Sequence, residues 1–157
     1  MAKQVKKAII FARSSSNQQD YTYQINQLTK LAHSDGYTDS QIAVIAYKES
    51  ASKNDISKRV SIEELNSLIE QFPIEQVYVT EISRLARRDD VLMQVLATLN
   101  QHEIALVSTQ PMLLRTFEKI NGVWTKNPTT DLIIKVLSYC AEQEIKFKDF
   151  RQTGTTT

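Results

Sequence analysis

Two short segments carry residue types suited to work on a phosphate. The first, Phe11-Ala12-Arg13-Ser14-Ser15-Ser16-Asn17-Gln18-Gln19, sets an arginine beside a run of hydroxyls. A guanidinium in that position binds an anion and favours an alkoxide over a neutral alcohol, whereas a serine run by itself serves equally well to cap a helix. The second, Ile82-Ser83-Arg84-Leu85-Ala86-Arg87-Arg88-Asp89, spaces Arg84 and Arg87 three residues apart. On a turn or a helix start that spacing points both guanidiniums the same way. A further arginine, Arg59, closes a polar loop over residues 50–59. Serine with converging arginines, and no histidine or carboxylate cluster beside them, suits phosphoryl transfer without a metal, the arginines stabilising a pentacovalent phosphate.

These segments need a scaffold that brings them to one rim. Val5–Ala12 is predicted as a first strand, nearly continuous in apolar residues as a buried parallel strand is. Tyr21, Ile25, Leu28 and Ala32 recur at helical spacing, with Gly36 as the stop. Ile42–Tyr47 is a second strand. Ser61 and Glu64 form a capping box for a helix burying Ile62, Leu65, Leu68 and Ile69, closed by Pro73. Val77–Thr80 is a third strand, Asp89 or Asp90 opens a helix carrying Leu92, Val95, Leu96 and Leu99, and Ile104–Ser108 is a fourth strand. The alternation predicts an α/β fold, three-layer αβα, with a mostly parallel four- to five-stranded sheet. In such sheets ligands sit at the carboxyl ends of strands, where the three arginine-bearing segments fall.

Residues 110–127 break the rhythm, and Asn121-Gly122 predicts a hairpin turn. Asn127-Pro128 reads as the N-cap and first residue of a long C-terminal helix. Its apolar residues, among them Leu137, Phe147 and Phe150, cover more than one face, which predicts a subunit interface. Residues 1–127 then form a core, 128–151 the helix of the same domain, and 152–157 a disordered polar tail.

The composition bounds the rest. A chain of 157 residues fits one domain. Charge is nearly balanced, 19 basic against 18 acidic residues, so a polyanion site must be local. One cysteine excludes an internal disulfide, and two histidines leave little for zinc. The glycines, Gly36, Gly122 and Gly154, build no phosphate-binding loop, so no nucleotide cofactor is expected, nor any metal. The longest apolar run, Ala8–Ala12, excludes a membrane span, and the basic start lacks a signal-peptide core, so the chain reads as cytoplasmic.

In these motifs the chain resembles the serine site-specific recombinases, the resolvase/invertase group. The family's A-R-x-S-x-x-x-Q stands here as Ala12–Gln19, which places the nucleophile at Ser15 with Arg13 and Gln19 as partners. Its D-K-A-S-G and following arginine resemble Glu49-Ser50-Ala51-Ser52-Lys53 and Arg59, and its D-R-L-x-R resembles Ser83-Arg84-Leu85-Ala86-Arg87. Its T-P-x-G-x-L resembles Asn127–Leu132, and its A-E-x-E resembles Ala141–Glu144, with Arg151 near the place of a family arginine. Ser83 stands where the family has aspartate, Lys53 and Thr130 where it has glycine, and Ile145 and Phe150 where it has polar residues.

The resemblance implies cleavage and religation of double-stranded DNA through a 5′-phosphoserine link at Ser15, with Arg13, Arg59, Arg84 and Arg87 on the scissile phosphate and Gln19 positioning. No cofactor or metal is implied. It implies homodimers on each site, a tetramer in the synaptic complex through the long C-terminal oligomerisation helix, and a DNA-reading domain that is absent from this chain. The alternative is a catalytically inactive resolvase-like dimerisation or DNA-associated module, suggested by Ser83 and opposed by the intact arginine set.

Overall fold

A computed structural model of the chain describes residues 5–14, 18–48, 56–85, 89–137 and 139. The strands β1 (Ala8–Ser14), β2 (Ile42–Lys48), β3 (Gln76–Val79) and β4 (Ala105–Ser108) alternate with the helices α1 (Gln18–Ser34), α2 (Ile56–Gln71), α3 (Ile82–Leu85) and α4 (Asp89–Gln101). A short β5 (Leu114–Arg115) follows, and then the hairpin of β6 (Phe117–Ile120) and β7 (Val123–Lys126). The main sheet has the order β2-β1-β3-β4-β5, parallel except for β5, which runs antiparallel to β4. This is the expected α/β architecture.

The unbroken apolar runs are the inner strands. Ala8 to Ala12 are fully buried, as are Val77 to Val79 and Ala105 to Val107, because helices cover both faces of the sheet. Ile9, Phe11, Ile45, Val77, Val79 and Leu106 face a core filled by α2 and α4 through Leu65, Ile69, Leu92, Leu96 and Leu99. On the other face Ala8, Ile10, Tyr78 and Val107 meet Leu28 and Ala32 of α1.

Local signals fix several ends. Past α1, Gly36 takes a positive φ of 101°, its N–H donates to the His33 carbonyl at 2.9 Å, and the Tyr37 N–H donates to the Ala32 carbonyl at 3.1 Å. That pair of bonds is the Schellman closure that glycine at this position permits. Asn121 and Gly122 both adopt positive φ, 52° and 78°, as a type I′ hairpin turn requires. The Asn127 side chain accepts from the Thr130 N–H at 3.1 Å, so the expected N-cap is in place, and residues 128–137 are helical.

Two expectations need correction. Helix α2 starts at Ile56, not at Ser61, so Arg59 belongs to its first turn rather than to a loop, and Ser61 is a buried residue in the helix interior. Residues 56–64 contain no breaker, so once Leu65 and Ile69 dock on the sheet the helix propagates backward past the internal serine. The buried stripe of α1 also differs. It runs through Gln24, Leu28 and Ala32, while Tyr21 and Ile25 are only half-buried.

In the C-terminal helix Ile134 is buried and Leu137 packs against the core, whereas Leu132, Val136 and Tyr139 are exposed at one-turn spacing. Phe147, Phe150 and the tail lie outside the described residues.

Candidate active site

Strand β1 outruns one of its neighbours. Its pairing with β2 continues to Ser14 opposite Lys48, but its pairing with β3 stops at Ile10 opposite Tyr78. The last residues of β1 therefore present backbone groups beyond the reach of β3, in an interior where such groups need partners. From β1 the chain crosses to β2 on one side and then to β3 on the other, so this overhang lies at the topological switch point, where α/β folds open a crevice.

A side chain from α1 takes the place of the missing strand. Gln24, only 2% exposed, accepts from the Arg13 N–H through Oε1 at 3.3 Å and donates through Nε2 to the Arg13 carbonyl at 2.9 Å. The same Nε2 donates to Asp20 Oδ2 at 3.0 Å, one helical turn away. Helix α3, which follows β3, brings Arg84 to the other side of the overhang. Its Nη1 donates to the Arg13 carbonyl at 3.0 Å, and its Nη2 lies 3.6 Å from Asp20 Oδ2. Three residues from two helices thus hold the end of β1.

The six residues singled out from sequence fall as follows. Arg13 is the penultimate residue of β1 and is buried. By strand alternation it lies on the Ile9 and Phe11 face, which α2 covers. Arg59 is in the first turn of α2, with its side chain outside the described residues. Gln19 is exposed near the start of α1. Arg84 is one-quarter exposed in α3 and is brought directly onto Arg13. Ser15 and Arg87 lie outside the described residues, Ser15 directly following the last residue of β1 and Arg87 following α3. Beside Arg84, the Ser83 hydroxyl donates to Glu81 at 3.3 Å.

Sequence reasoning missed Gln24 and Asp20. A signal for the first exists: a glutamine four residues before Leu28 stands where the apolar stripe of α1 calls for a hydrophobe. A buried amide at such a position must be satisfied, and a strand end that outruns its neighbour is a partner that needs both a donor and an acceptor.

A cleft of about 950 Å³ lies at the opposite, amino end of the strands, among Lys7, Tyr37, Glu75, His102, Lys119 and Trp124. Its wall holds a closed polar network. Arg115 binds Asp35 through Nη1 at 2.9 Å and Nη2 at 3.1 Å, and also donates to Gln76 Oε1 at 3.0 Å. Tyr78 donates to Asp35 at 2.6 Å and Tyr37 to Glu75 at 2.8 Å. Burial foremost, and then the neighbouring carboxylate, holds both phenols well above their ordinary pKa. Burial works against the Arg115 charge, but Asp35 outweighs it and raises the guanidinium pKa. These groups are committed to one another, and the contact of Arg84 with Arg13 lies at the other end of the strands.

Comparison with known proteins agrees with this fold. The family described as "Resolvase, N terminal domain" matches residues 8–155. The crystal structure of the N-terminal catalytic domain of TP901-1 integrase aligns with a TM-score of 0.55 at 20% identity, covering 90% of this chain and 98% of that one. That of a resolvase family site-specific recombinase from Streptococcus pneumoniae aligns with a TM-score of 0.53 at 19% identity, covering 95% and 94%. At these identities the two structures speak to the fold. No curated protein sequence matches the chain.

Proposed function

Because the chain belongs to the resolvase N-terminal domain family and site-specific recombination is its general activity, we propose that it cuts and rejoins DNA strands through a phosphoserine intermediate on Ser15. The observation that carries this reading is the docking of the Arg84 guanidinium on the Arg13 carbonyl at the overhanging end of β1, at the switch point of the sheet. Ser15 is the next residue but one after Arg13. On an extended chain it shares Arg13's side.

The chemistry balances without a further reactant. The Ser15 oxygen bonds to the phosphorus of a DNA phosphodiester while the bond from phosphorus to the 3′ oxygen breaks. The hydroxyl proton goes to solvent, and the departing 3′ oxygen takes one up. Charge accumulates on the phosphate oxygens in the transition state, and guanidiniums held in place stabilise it without reorganising. Arg13 and Arg84 serve that role, with Arg59 and Arg87 completing the set and Gln19 positioning the nucleophile. One ester replaces another, so the bond energy is retained and religation needs neither ATP nor a metal ion. The partner is double-stranded DNA, and the working form is a homodimer that pairs into a tetramer, in the cytoplasm. The exposed Leu132, Val136 and Tyr139 stripe on the helix that begins at residue 128 supports association through that element.

The test is covalent capture on nicked duplex DNA, where a cut strand diffuses away. Ser15→Ala is expected to abolish the protein–DNA adduct, while Ser14→Ala and Ser16→Ala keep substantial activity. An adduct formed by Ser15→Ala refutes the assignment.

A further inference from the structure

We propose that Asp20, which stands outside the serine and arginine motifs, is a positioning residue for Arg84 and thereby for strand cleavage; the proposal rests on the recombinase reading above. One carboxylate oxygen, Oδ2, joins the two devices that hold the end of β1. It accepts from Gln24 Nε2 at 3.0 Å, and it faces Arg84 Nη2 at 3.6 Å. Gln24 and Arg84 in turn share one acceptor, the Arg13 carbonyl, at 2.9 Å and 3.0 Å. Asp20 therefore closes a ring through Gln24, Arg13 and Arg84.

The ring matters because Arg84 needs an anionic anchor from elsewhere. Its neighbour Ser83 is uncharged, and the Ser83 hydroxyl is directed to Glu81. Helix α3 is a single turn, too short to hold a long side chain rigidly by itself. An arginine has many rotamers, and a fixed carboxylate on one edge of the fork selects among them while leaving the other edges for a ligand. Asp20 lies in the first turn of α1, directly after the segment bearing Ser15 and Gln19, so the anchor and the nucleophile are carried by the same short stretch of chain.

The substitution Asp20→Asn separates this role from a structural one. The amide oxygen still accepts from Gln24, so the clamp and the fold persist, but the charge facing Arg84 is gone. Two readouts are taken on the full chain. The first is the ¹⁵Nε relaxation of the Arg84 side chain, assigned by its loss in Arg84→Lys. The second is the rate of covalent adduct formation on a pool of nicked duplexes of randomised sequence. The expected result is an unchanged melting temperature, an Arg84 side chain that becomes mobile, and an adduct rate reduced by about 10-fold or more, as mispositioning of a catalytic group gives. Asp20→Glu, which restores the charge, is expected to recover both readouts. An Arg84 signal unaltered by Asp20→Asn overturns the proposal, as does an adduct rate equal to that of the parent. If the parent forms no adduct on any duplex, the recombinase reading fails, and the Arg84 relaxation alone decides whether Asp20 positions it.

Discussion

Replacing Gln24 probes the device that terminates β1. In Gln24→Ala the Arg13 N–H loses an acceptor at 3.3 Å and the Arg13 carbonyl loses a donor at 2.9 Å, though that carbonyl keeps Arg84 Nη1. A buried backbone group stripped of a partner costs about 1–3 kcal/mol, and the bond to the carbonyl adds about 1 kcal/mol. The sum, about 2–4 kcal/mol, corresponds to a fall of roughly 4–16 °C in melting temperature for a domain of this size. Gln24→Leu fills the space but makes neither bond, and is expected to retain most of the loss. Gln24→Glu is more telling. Its carboxylate can still accept from Arg13 N–H, but it cannot donate, and it stands where Nε2 lies 3.0 Å from Asp20. Burial and the like charge of Asp20 raise its folded pKa above the unfolded value. Such a group contributes stability that is present below the unfolded pKa and lost as pH rises through the folded one. The deficit of Gln24→Glu against the parent is therefore expected to be small near pH 4 and to widen towards pH 8. Differential scanning calorimetry across that range tests both statements. A Gln24→Ala melt within about 1 °C of the parent, or a Gln24→Glu deficit that ignores pH, refutes the clamp.

The Arg115–Asp35 pair, with side chains 17% and 19% exposed, is expected to behave as a partly screened, bidentate ion pair at the rim of the cleft. Asp35→Asn removes the charge facing the guanidinium and should cost about 1–2 kcal/mol in urea unfolding, whereas Arg115→Met combined with Asp35→Leu should cost less. Burial tends to raise the Asp131 pKa, but the Lys135 ammonium at 2.9 Å and the Asn100 amide at 3.0 Å outweigh it and hold that pKa below its usual value. Its contribution is thus present above the unfolded carboxylate pKa, near 4, and lost as pH falls through the folded one, so Asp131→Asn should flatten the acid limb of the stability curve by about 1 kcal/mol. In the exposed stripe of the C-terminal helix, Val136→Asp should shift sedimentation towards monomer with a stability change within about 0.5 kcal/mol. A parent that is monomeric at high concentration removes that interface.

Much of this protein was legible along the chain, because the controlling physics is local. Five consecutive buried residues at Ala8–Ala12 could only be an inner strand or a core segment, and their apolar run says so. Gly36 and the Asn121-Gly122 pair stop and turn the chain through backbone conformations that few other residues adopt. The Arg13, Ser15 and Arg84 spacings are likewise read from the sequence, and they are what the proposed chemistry starts from. What needed the tertiary structure was every decision made by residues far apart. Ser61 resembled a cap until packing of Leu65 and Ile69 carried the helix back to Ile56. Arg115 finds Asp35 eighty residues away, and neither position predicts the other. The burial of Gln24 depends on β3 ending one residue past its last pair with β1 while β2 pairs on to Ser14. A periodicity records which face of an element is apolar. It carries no information on where a neighbouring strand runs out, and at this site that unequal strand length creates the unmet backbone groups to which Gln24, Asp20 and Arg84 respond.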